Sequence, residues 1–295
     1  MRQPIVVGID LTEASDEVLR QAAERAARDR VPLTVVHTLG PAPWGSPRAS
    51  GEFGTARRAL RTRVAAVTGR AENTFEVVVD RGAPHLNLAR IAAARGAILV
   101  VGGHLERRID HAFLRDVSER VVARARPVYV VQPKKGSKRV LVALAHPLDD
   151  AMTLETGIEE ARASGSALVV MHSVHMGFLE TMVKDLVNGG AYAPHPLGQR
   201  SQVVIARRLL SEELRRRGVS AEVHVVDGNP ALMIPEVAIR ADADLIVMGT
   251  PPAPAPVSHV TTAVLRHAPC SVLVVDACPE KVSERSTAAS NGLLA

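Results

Sequence analysis

The chain spells one order of segments twice. The run Ile5-Val6-Val7-Gly8-Ile9-Asp10 returns as Val140-Leu141-Val142-Ala143-Leu144-Ala145. Each copy leads through a polar turn into a helical pattern, over residues 15–28 and 149–163. Leu33-Thr34-Val35-Val36-His37 is echoed by Leu168-Val169-Val170-Met171-His172, and the Val77–Pro84 stretch by Val223–Pro230. Ile98-Leu99-Val100-Val101-Gly102 matches Leu245-Ile246-Val247-Met248-Gly249, and each half closes on a Val-rich strand, 128–131 and 272–275. Continuous Val/Ile/Leu runs alternating with amphipathic helical stretches indicate strands buried on both faces of a parallel sheet. The fold class expected is therefore α/β: two tandem domains, each a five-stranded parallel sheet with helices on both faces, in a nucleotide-binding, Rossmann-like manner. The boundaries expected are 1–133 and 138–278, joined by the linker-like QPKKGSK (132–138), with a disordered tail over 279–295.

Composition removes several classes of function. Aromatic residues are 2% of the chain, too few for a stacking platform on single-stranded nucleic acid. The net charge is +5, but the arginines are spread along helical stretches, interleaved with Glu in 207–217, which is the pattern of solvated helix faces. No nucleic-acid partner is expected. Cys270 and Cys278 lack the paired spacing of a zinc or redox motif, and Cys270 reads as a small core residue. The apolar runs are too short to span a membrane, and a strand beginning at Ile5 leaves no room for a leader. A reducing cytoplasm is the expected location, with no membrane partner.

The order and duplication of these segments resemble the universal stress protein family in its tandem form. The pieces that carry the resemblance are IVVGID at 5–10, the strand ending VVH at 35–37, VSERVV at 117–122 and RHAPCSVLVV at 266–275. It spans Pro4–Val131 and Arg139–Asp276. The resemblance implies a fold that in many relatives binds ATP, through an Asp at the end of the first strand near adenine and a motif GxxGxxxxxxxxxG[ST]. Glycines in such a loop let backbone N–H groups and a helix N-terminus approach the phosphates.

Carried onto this chain, the resemblance gives Asp10, Thr38, Gly102, Gly103, Arg115 and Ser118 as the candidate nucleotide-contacting residues. Asp10 matches the family's Asp; as a residue type it serves equally well as a turn or cap. The motif begins at Gly102, but Leu105 stands at its second glycine, Arg115 at its third, and Asp116 in place of Ser or Thr. A carboxylate there repels a phosphate. Arg107, Arg108 and Arg115 can reach phosphate with side chains, or serve as solvated charges. The second half departs further. Ala145 replaces the Asp, and the loop GTPPAPAPVSH (249–259) is shorter than the motif and holds four prolines, none with an N–H to donate. It reads as a stiffened connection, and this half is expected not to hold ATP.

His37 and His172 occupy equivalent strand ends and read as structural; a metal pair with His175 lacks a third ligand. The stretch 176–198 exceeds an ordinary connection and suits a lid, a partner-binding excursion or interdomain packing. No nucleophile–base–orienter set is visible; Ser118 beside Glu119 lacks the context of a strained nucleophile turn. The chain is expected to be non-enzymatic. It would act in stress response through an unidentified protein partner or ligand, as a homodimer or a pseudo-twofold monomer, with a degenerate nucleotide site and no required cofactor. The alternative is an ATP-binding regulator that uses mainly the N-terminal half.

Overall fold

The computed structural model describes residues 3–40, 50–71, 74–103, 112–133, 136–148, 150–174 and 196–277. In the first half the order is β1 (Ile5–Gly8), α1 (Ala14–Asp29), β2 (Leu33–Leu39), α2 (Ser50–Thr68), β3 (Glu76–Arg81), α3 (Pro84–Arg95), β4 (Ile98–Gly102), α4 (Ala112–Val122) and β5 (Val128–Val131). The second half repeats it as β6 (Arg139–Leu144), α5 (Ala151–Ser164), β7 (Ala167–Val174), α6 (Pro196–Arg216), β8 (Glu222–Asp227), α7 (Pro230–Arg240), β9 (Leu245–Thr250), α8 (His259–His267) and β10 (Ser271–Asp276).

The strands form one ten-stranded sheet in the order β3-β2-β1-β4-β5-β10-β9-β6-β7-β8. Within each half every pairing is parallel, and the strand order reverses between β1 and β4 and again between β6 and β9. The halves meet through the antiparallel pairing of β5 with β10, where Tyr129 lies opposite Leu273. Two five-stranded sheets are thus fused edge to edge about a pseudo-twofold axis, which covers the inner edge strand of each.

The unbroken apolar runs follow from burial on both faces. Ile5 and Val7 join a cluster under α1 and α2, while Val6 packs on the opposite side with Leu88 and Ile91 of α3. The second half repeats the scheme with Val142 beneath α5 and Leu141 beneath α7. Both α1 and α5 end on a left-handed residue, Arg30 (φ 55°) and Gly165 (φ 63°), where the chain turns into the next strand.

Across the pseudo-twofold axis α1 faces α5. Arg25 and Glu160 hold equivalent places on these helices and form a buried, two-pronged ion pair, with 7% and 10% of their side chains exposed. Arg28 adds a contact to Glu160 at 3.4 Å, and the Arg25 guanidinium lies 5.2 Å over the Tyr129 ring. Gln21 reaches the Gln132 carbonyl at 2.9 Å, and the Gln132 amide donates to Ser271 at 3.0 Å. The seam therefore joins apolar strand pairing to a buried polar network that is complementary, not symmetric.

Candidate functional site

In an open parallel sheet, ligands bind beyond the carboxyl ends of the strands where the strand order reverses. The two such places here are the ends of β1/β4 and of β6/β9.

At the first, the fold brings the Asp10 turn beside Gly102 and Gly103. The Asp10 carboxylate is spent locally: Oδ1 accepts from the Thr12 amide at 3.0 Å and the Thr12 hydroxyl at 2.6 Å. Partial burial pushes its pKa up, but the hydrogen bonds from Thr12 and Ser15 outweigh this and hold it below the ordinary Asp value. Gly103 uses its amide on the Val131 carbonyl at 2.8 Å, so that N–H is not offered to a phosphate. A Cβ on Gly103 would meet Gln132 Nε2 at 2.7 Å and the Val131 carbonyl at 3.0 Å, a packing reason for glycine. Thr38 sits half-buried on β2 opposite Asp80. Ser118 is buried on α4, at 4% exposure. The backbone of Arg115 lies within the first turns of α4, which begins at Ala112, so the third-glycine position falls inside the helix instead of at its mouth. The Arg115 and Asp116 side chains, and all of Leu105, Arg107 and Arg108, lie outside the described residues. So do His175, Cys278, the tail 279–295 and the stretch 176–195 of the 176–198 segment.

At the second, the carboxylate missing from position 145 is replaced from below. Asp150, six per cent exposed, accepts the Ala145 amide at 3.2 Å through Oδ2 and the Thr153 hydroxyl through Oδ1. A Cβ on Gly249 would come within 3.2 Å of Asp150 Oδ1 and 2.5 Å of the Thr153 hydroxyl. The backbone of Gly249 thus rests against a buried carboxyl group. Asp150 escaped the sequence reading; its signal was the Asp149-Asp150 pair at the start of the helical pattern. The proline loop is tied down at its middle, where the Ala253 amide reaches Asp276 Oδ1 at 3.3 Å, and Asp276 in turn contacts Arg126 at 3.3 Å. Ser258 then caps α8, accepting from the Thr261 amide at 3.1 Å. Between loop, strand ends and α7 lies a cavity of about 370 Å³ lined by Ala145, Met171, Ile234, Met248, Thr250 and Val260 among others, with no charged residue in its lining among the described residues.

The histidines behave alike in both halves. His37 Nδ1 donates to the Ile9 carbonyl at 3.0 Å, and His172 Nδ1 to the Leu144 carbonyl at 3.1 Å, each tying a strand end to its neighbour. Burial, and secondarily the nearby His146, lower the His172 pKa against the opposing pull of the Leu144 carbonyl. No three-residue group of metal-ligating side chains occurs among the described residues.

The model of the universal stress protein family matches residues 1–132 and again 136–276. The chain belongs to the universal stress protein family. Solved structures agree at the level of fold. A universal stress protein from Archaeoglobus fulgidus DSM 4304 aligns over 95% of this chain and 98% of its own, at 17% identity and a TM-score of 0.65. A functionally unknown protein from Pseudomonas aeruginosa PAO1 aligns over 94% and 93%, at 16% identity and a TM-score of 0.61. A universal stress protein solved in complex with cAMP aligns over 44% of this chain, at 24% identity and a TM-score of 0.35, too loose a likeness to transfer a ligand. No curated protein matches. As a member of this family in tandem form, the chain places one family domain on each side of the β5–β10 seam. Among the described residues, no helix is long and apolar enough to cross a membrane.

Proposed function

We propose that this tandem universal stress protein acts in the stress response as a non-enzymatic, cytoplasmic module that works through a protein partner or ligand, with nucleotide sites degenerate in both halves. The observation that carries this reading is the second switch point. There the Asp150 carboxyl group lies under Gly249, the loop beyond holds four prolines, and no cation among the described residues lines the cavity. A triphosphate would bring several negative charges to a place with neither N–H donors enough nor positive charge to meet them. The pseudo-twofold pairing of β5 with β10 supports a chain that completes its own twofold unit, without a second copy.

One feature favours a second reading, ATP held by the first half. Asp10 is exposed, so its carboxylate, though it accepts from Thr12, faces solvent where an adenine amino group can reach it. Calorimetric titration of the intact chain with ATP separates the two. No saturable heat up to millimolar ATP is the expected result. Micromolar binding that Asp10→Ala abolishes would overturn the primary reading in favour of the second.

A further inference from the structure

The halves meet on backbone hydrogen bonds that would join any two inner edges, so what selects the partner has to lie in the side chains. Tyr129 pairs with Val100 and Leu273 with Val247, equivalent places in the repeat, and Tyr129 and Leu273 lie opposite each other across the seam. The pseudo-twofold axis therefore passes between these two. On an exact twofold axis a residue meets its own copy. Here the counterparts that meet are different residues.

Three ion pairs across the axis depend on that difference. Arg25 lies five residues before the left-handed end of α1 at Arg30, and Glu160 lies five before the matching end of α5 at Gly165. They are counterparts, and they form the buried ion pair of the seam. Two first halves joined by this edge would set Arg25 against Arg25, and two second halves Glu160 against Glu160. Arg126, with no part of its side chain exposed, meets Asp276 at 3.3 Å. Strand register makes Gln132 the counterpart of Asp276. A pair of first halves would offer the buried Arg126 guanidinium a neutral amide in place of that carboxylate. On the other face of the sheet, Glu119 of α4 accepts from both Nε and Nη2 of Arg266 of α8, at 2.7 and 3.2 Å. In each pair one charge comes from one half and its opposite from the other.

We propose that the seam is a recognition surface of fixed pairing: the inner edge of the first half accepts the inner edge of the second and refuses its like. This rests on the reading that the chain completes its own twofold unit, and it names the residues that enforce it. Like pairs would keep the strand hydrogen bonds but bury unmatched charge of one sign, a penalty that excludes the wrong partner. Tyr129 adds a steric part. Its ring lies beneath the Arg25 guanidinium and opposite the smaller Leu273, and two tyrosines would crowd the place that one ring and one leucine fill. A second copy of the chain can therefore not join through this edge by identical halves; only the opposite half fits.

The test uses the full chain with the recognition sequence of a specific protease inserted between Lys134 and Lys135, cut after folding. Isotope-labelled and unlabelled cut proteins are mixed at micromolar concentration until the halves have exchanged. Native mass spectrometry should then show one first half bound to one second half, and no pairs of like halves. Glu160→Arg in the cut protein sets two guanidinium groups together and should raise the dissociation constant of the halves at least about a hundredfold. Adding Arg25→Glu reverses the pair and should recover most of that loss. Like pairs beside unlike ones overturn the proposal, as do halves of the unmutated cut protein that separate, halves that bind as tightly with Glu160→Arg, or a double reversal that recovers nothing. Sedimentation of the uncut chain judges the underlying reading separately. The mass of a single copy is expected, and a dimer would overturn that reading whatever pairs the cut protein forms.

Discussion

Asp10 and Ala145 stand at the same point of the repeat, and the two halves treat it in opposite ways. In the first half the carboxylate is exposed and closes a turn onto Thr12. In the second it has gone, and Asp150, buried five residues on, holds the same loop by the Ala145 amide. The loop after the reversal point differs in step. The two loops have the same length, since Ala112 opens α4 ten residues after Gly102 and His259 opens α8 ten residues after Gly249, but only the second fills its positions with prolines. The lesson is that the sheet and the histidine ties were kept, while divergence gathered at strand-end loops, where changing a side chain costs the core nothing.

The same contrast runs through the seam. Arg25 and Glu160 are equivalent residues of opposite charge, so each half is complementary to the other and repelled by a copy of itself. Breaking that complementarity should give the largest effect. Glu160→Ala leaves the buried Arg25 guanidinium with only the Asp29 carboxylate, 3.9 Å away, and should cost about 3–5 kcal/mol in urea unfolding. Replacing both residues together, Arg25→Met with Glu160→Leu, should cost far less, since it removes the charge as well as its partner. Equal losses in the two experiments would show that the pair does not act as a unit.

A smaller effect sharpens the comparison of the clefts. Gly249→Ala drives a Cβ against the Thr153 hydroxyl and Asp150, both fixed by their mutual hydrogen bond, and should destabilise by about 1–3 kcal/mol. Gly103→Ala meets the Gln132 side chain at 2.7 Å and the Val131 carbonyl at 3.0 Å, a looser fit than the 2.5 Å contact at Gly249, and should cost less. A reversed order in thermal denaturation would mean that the Asp150–Thr153 pair yields more readily than its burial implies.

The smallest effect lies at the ends of α1 and α5. Arg30 adopts a left-handed conformation that its counterpart Gly165 adopts without strain. Arg30→Gly should therefore stabilise the chain by about 0.5–1 kcal/mol, and Gly165→Ala should destabilise it by a similar amount. Shifts of the same sign in both variants would contradict the equivalence of the two caps.

Much of the fold was legible because a doubly covered parallel strand has to be apolar throughout, and the inner strands of both halves write that requirement; only the edge strands β3 and β8 depart from it. The fusion into one sheet was not, because β5 and β10 pair through backbone groups, and Val128–Val131 reads the same beside any neighbour. The opposite charges at Arg25 and Glu160 were present in the aligned repeats and were the available signal for the seam. In the cleft, Ala145 and the prolines could be read as losses. What they leave behind is a space, set by distances between Ile234, Met248 and Val260 that no local pattern encodes.

The central claim is that the cleft of the second half no longer answers to nucleotides. Hydrogen exchange of the intact chain, followed by mass spectrometry with and without millimolar ATP, tests it at the residues concerned. The account predicts that amides from Gly249 to Thr261 exchange at the same rate in both samples, whatever happens around Asp10 and Gly102. Slowed exchange confined to Gly249–Thr261 would contradict it.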